Sequence, residues 1–65
     1  MDLNLDIDNR LYVLRHTSLS DDMRKKLAEA DKLFLKDRNS ESQVVLLEIE
    51  RECILRGIVM YNPTL

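Results

Sequence analysis

The stretch from Ser40 to Gly57, SESQVVLLEIERECILRG, constrains this chain more than any other. Ser40 with Gln43 three residues on is the pattern of a reciprocal helix cap. Gly57 follows the last periodic residue and suits the left-handed conformation that ends a helix. The spacing predicts a helix over about 41–56. At about 100° per residue, Val45, Leu46, Leu47, Ile49, Cys53 and Ile54 spread over an arc of roughly 200°. An ordinary surface helix needs an apolar stripe only a little over about 100° wide. This helix is therefore expected to be covered on more than one side.

Size sharpens that expectation. Sixty-five residues make one small domain, and a chain this short buries only about 60% of its extended surface. Small domains add disulfides, a metal or self-association. Cys53 is the only cysteine and His16 the only histidine, so neither a disulfide within the chain nor a Cys/His zinc cluster is expected. Association is the stabiliser left open. A lone thiol in an apolar helix face points to a reducing compartment.

Ten basic and twelve acidic residues give a net charge of −2, far from the basic footprint of a typical nucleic-acid binder. The first residues lack the charged and apolar regions of a signal peptide. No apolar run approaches the roughly 18 residues of a membrane span. The expectation is a soluble, cytoplasmic protein that engages no membrane.

Residues 1–8, MDLNLDID, alternate apolar and polar, the signature of a half-buried strand. Their Asp/Asn repeat lacks the Gly and Glu of a calcium loop. Asp8-Asn9 favours a turn. Arg10–Thr17, RLYVLRHT, reads either as a second strand pairing with residues 3–7 or as a short helix capped by Asp8. Tyr12 and Val13 favour the strand. Ser18 or Ser20 then caps a helix over about 20–36, with Asp21 and Asp22 facing the positive end of its dipole. Met23, Leu27, Ala30 and Phe34 form its apolar stripe. About four residues join the two helices, a length that makes neighbours of them. After Gly57, Ile58-Val59-Met60-Tyr61 either adds a short strand or packs back on the core, and Pro63 excludes further helix. The fold expectation is mainly α. An extended or β-hairpin segment over 1–17 precedes a helical hairpin over 18–57 and a tail over 58–65, in a single domain of residues 1–65.

Catalysis is not expected. One glycine excludes a phosphate-cradling loop, and His16 has no marked partner for a catalytic triad. Glu48 and Glu52, like Asp21 and Asp22, sit at helix-surface spacing. No cofactor or metal is implied.

Leu19-Ser20-Asp21-Asp22-Met23 with Leu27, then Ser40 and Ser42 opening the next helix, resembles a ribbon-helix-helix transcription repressor or antitoxin over residues 11–57. The resemblance implies an intertwined dimer whose two-stranded ribbon enters the DNA major groove. It would place Leu14, His16 and Ser18 towards DNA, and Arg15, Thr17 and Leu19 towards the core.

The residues themselves favour a different function, a small regulatory or interaction protein. Glu50 falls inside the apolar arc, either as the rim between two contact faces or as a charge aimed at a partner. Leu46, Ile49, Glu50, Cys53 and Ile54 are the expected partner-binding residues. The partner is a second copy of the chain or a larger protein that it inhibits or adapts. DNA binding is the alternative.

Overall fold

The structure is a computed structural model that describes residues 2–63. They form three helices: α1 (Leu3–Arg15), α2 (Asp21–Leu35) and α3 (Asn39–Arg56). No strand occurs among the described residues. Each helix touches the other two, most extensively α2 with α3 and least α1 with α2. The result is flat, 30 × 27 × 16 Å.

The mainly helical expectation holds, but the N-terminal segment is corrected from strand to helix. Leu3, Ile7, Leu11 and Leu14 recur at spacings of four, four and three, one stripe of an α-helix. Ile7, Leu11 and Leu14 are buried, and Leu3 packs against them. Leu3 and Ile7 satisfy period two as well as period 3.6. Only Leu5 breaks the tie, and it is 57% exposed. Asp8 and Asn9, expected at a turn, lie inside the helix. Asp2 starts it instead, its carboxylate accepting the Asn4 amide at 3.0 Å. Met1, at the head of the alternating stretch, and Thr64 and Leu65, at the end of the tail, lie outside the described residues.

This helix also removes the ribbon that the DNA-binding resemblance needs. Residues 11–15 are helical rather than extended. Leu14, expected to face DNA, is buried in the core, while Arg15, expected in the core, is exposed and pairs with Asp31 at 2.6 Å.

α2 begins after Ser20, as expected, but the Ser20 hydroxyl donates to the Asp22 carboxylate rather than capping a backbone amide. Met23 and Ala30 of its stripe are buried, with Leu27 and Phe34 packed beside them. The helix closes on Asp37, whose φ of 59° is left-handed. The Asp37 amide donates to the Phe34 carbonyl and the Arg38 amide to the Leu33 carbonyl, the paired bonds that finish a helix. That compact exit leaves three residues, 36–38, between α2 and α3. α3 starts at Asn39, before Ser40, so Ser40 lies within its first turn. Gly57 ends α3 at φ 69° with the same pair of bonds, to Ile54 and Cys53.

Ala30 and Ser42 are both fully buried where α2 meets α3, and the Ser42 hydroxyl donates to the Ala30 carbonyl at 2.7 Å. Small residues there let the two backbones approach. Leu46, Ile49 and Cys53 complete the core from α3. Arginine–carboxylate pairs tie each pair of helices: Arg15 to Asp31, Arg56 to Asp22, and Arg10 to Glu50.

The tail lies back on the subunit without forming a strand. Ile58 and Met60 pack on the core, while Val59 faces solvent. The Tyr61 amide donates to the Thr17 hydroxyl at 3.0 Å, fixing the tail to the end of α1.

Candidate interaction surface

The five residues expected to meet a partner do not share one surface. Leu46, Ile49 and Cys53 are sealed inside the subunit by α1 and α2. Taking Leu46 as zero on a wheel of about 100° per residue, Ile49 and Cys53 fall within roughly 60° of it. Glu50 lies about 40° to the other side and meets α1. Its two carboxylate oxygens accept from Arg10 at 2.7 and 2.6 Å. Ile54 alone of the five is left to solvent, 73% exposed.

Glu50 is therefore an intramolecular partner. Arg10 also donates to Asp6 at 2.8 Å, and Gln43 reaches the same Asp6 oxygen at 3.1 Å. Arg10, helped by Gln43, holds the Asp6 carboxyl below its ordinary range. Next to this network, burial and then the Glu50 charge push the Cys53 thiol up. The cleft beside it, between α1, α3 and Met60, has a volume of about 250 Å³. That is below the usual range for small-molecule pockets, about 300–1,000 Å³. The charged groups of Asp6, Arg10 and Glu50 that reach it already satisfy one another. Among the described residues no group of three or more His, Cys, Asp or Glu could hold a metal. No described helix is long and apolar enough to cross a membrane.

The far side of α3 is left uncovered, as are Leu35 and Val59 elsewhere. Val44, Leu47, Ile54 and Leu55 are 55%, 45%, 73% and 70% exposed. On the same wheel they span about 80–180°, nearly opposite the buried stripe. Arg51 stands in the middle of them. α3 is thus apolar on two opposed faces, of which α1 and α2 consume one. The apolar arc read from the sequence holds Leu47 and Ile54 but not Val44 or Leu55, and it groups Ile54 with the residues that the structure buries. The signal that separates the sets is the heptad spacing of 44, 47, 51 and 54, against the buried 42, 46, 49 and 53.

Arg51 stands out among the arginines. The chain has six. Arg10, Arg15, Arg38 and Arg56 hold carboxylates, and Arg24 donates to the Leu19 carbonyl at 3.1 Å. Of the six arginines, Arg51 alone has a side chain with no hydrogen bond or ion pair among the described residues. Its neighbour Glu48, one turn away, makes none either. Elsewhere, Tyr12, His16 and Tyr61 form an exposed aromatic group, the His16 ring 4.4 and 5.0 Å from the two tyrosine centroids. It fastens the tail to α1.

No protein-family model, curated protein or solved structure matches this chain.

Proposed function

We propose that this chain is a small non-enzymatic interaction protein, regulatory by occupancy, which docks the outer face of α3 on a protein partner. One observation carries the reading: an apolar stripe of Val44, Leu47, Ile54 and Leu55 left open on a helix whose opposite face already fills the core. Isolated exposed leucines need no explanation, but four apolar side chains along one helix face do. A helix presenting such residues three and four apart is the form in which one helix is read by another protein. An arginine amid them matches the composition of interface centres, where aromatic residues, Met and Arg are enriched. The network of Asp6, Arg10 and Glu50 supports a binding rather than a catalytic role, since its charges are spent on holding α1 to α3. A lone buried thiol fits a reducing, cytoplasmic setting.

The test is photo-crosslinking of the full chain expressed in cells. A benzophenone amino acid is placed at Leu47, with Lys25 on α2 as the control site. The reading predicts a discrete adduct from position 47 and none from position 25. Equal or absent labelling at the two positions would overturn it.

A further inference from the structure

We propose that the partner is a second copy of this chain, seated antiparallel with α3 against α3 about a two-fold axis level with Ile49. This inference rests on the docking role of the outer α3 face and names its occupant. The outer stripe follows a heptad, with Val44 and Arg51 at one seam position, Leu47 and Ile54 at the other, and Glu48 and Leu55 flanking. In an antiparallel pair centred near residue 49, Val44 lies level with Ile54 of the second copy. Leu47 lies level with Arg51 of the second copy. With a rise of about 1.5 Å per residue, Arg51 comes within roughly one residue of Glu48 of the second copy. The two-fold axis repeats that contact, so both unpaired arginines meet both unpaired glutamates.

Charge complementarity selects this arrangement over its neighbours. A centre at residue 51 would stack the two Arg51 side chains on each other. A parallel, in-register pair would also set the two Arg51 side chains against each other. Only the antiparallel register near residue 49 buries Val44, Leu47, Ile54 and Leu55 together and gives Arg51 a carboxylate. A polar residue at one seam position sets register and orientation at some expense in affinity. The seam runs from Val44 to Leu55, roughly 16 Å of helix, which makes the dimer a weak, reversible one at the small end of specific interfaces.

Sedimentation equilibrium of the full chain tests the arrangement. The wild type should move from the 7.7 kDa monomer towards twice that mass across about 10 μM to about 1 mM. Arg51→Glu and Glu48→Arg should each weaken association about tenfold or more, because each sets like charges face to face. Both changes in one chain, or an equimolar mixture of the two single variants, should restore it. Circular dichroism of each variant checks folding, which substitutions at these exposed positions should leave intact. A wild type monomeric at about 1 mM, or an Arg51→Glu chain that dimerises as well as wild type, would overturn the proposal. A monomer in solution combined with a position-47 crosslink to a different protein would overturn the self-pairing and leave the docking face standing.

Discussion

At the scale of single residues, environment assigns roles that residue type does not. Cys53 was legible as a small apolar helix residue, and the structure puts it at 0% exposure between α1 and α2. Burial and the nearby Glu50 charge disfavour its thiolate. We predict that iodoacetamide modifies Cys53 in the native chain about a hundredfold or more slowly than in denaturant, followed by mass spectrometry. Rapid native labelling would show that the core opens readily. Two left-handed residues give a paired prediction. A Cβ at Gly57 would meet no atom within 4 Å, so only backbone strain opposes it. Gly57→Ala should cost about 1 kcal/mol. Asp37 already bears that strain at φ 59°, so Asp37→Gly should be neutral or slightly stabilising, by up to about 1 kcal/mol. Urea denaturation measures both. Glu50 shows what the sequence withheld. Its place in the arc was visible, but its partner Arg10 lies 40 residues away, at the start of a segment that reads as a strand in preference to a short helix.

At the scale of elements, α2 and α3 were legible and α1 was not. The stripe of Met23, Leu27, Ala30 and Phe34, and the Gly57 stop, follow from local spacing and backbone chemistry. α1 was obscured because residues 1–8 and 10–17 were read as separate windows across Asp8-Asn9. Read together, Leu3, Ile7, Leu11 and Leu14 form one helical stripe. Ser40 misleads by two residues: it has the chemistry of a cap, but the bonds closing α2 deliver the chain into α3 with Arg38 at the cap position. If α1 is an integral wall of the core, Leu11→Ala should destabilise the whole domain by about 2–4 kcal/mol in a single transition. A second, separate transition in which α1 alone melts would instead mark it as an appendage.

At the scale of the whole molecule, the arginine pairs link every helix to the other two, and most are solvent-exposed. Their worth is modest and falls with salt. Two of the acids involved report on pH. Arg56 first, and then Ser20, hold the Asp22 carboxyl well below its ordinary value of 3.8, and Arg10 lowers that of Asp6. A carboxyl with its folded value lowered adds stability that is complete above the unfolded value. That stability is lost as pH falls through the folded one. Thermal midpoints should therefore decline as pH drops below about 4, and less steeply in Asp22→Asn. An unchanged slope would mean that the Arg56–Asp22 pair does not persist in solution.

α3 has two apolar faces, one filling the core and one facing outward. Leu46 and Leu55 are the same residue type on the same helix, one sealed and one 70% exposed. The decisive measurement is urea denaturation of Leu46→Ala and Leu55→Ala, at a concentration dilute enough to keep the chain monomeric. The account predicts a loss of about 2–4 kcal/mol at Leu46 and about 0.5 kcal/mol or less at Leu55. Equal losses at the two positions, or a larger one at Leu55, would contradict it.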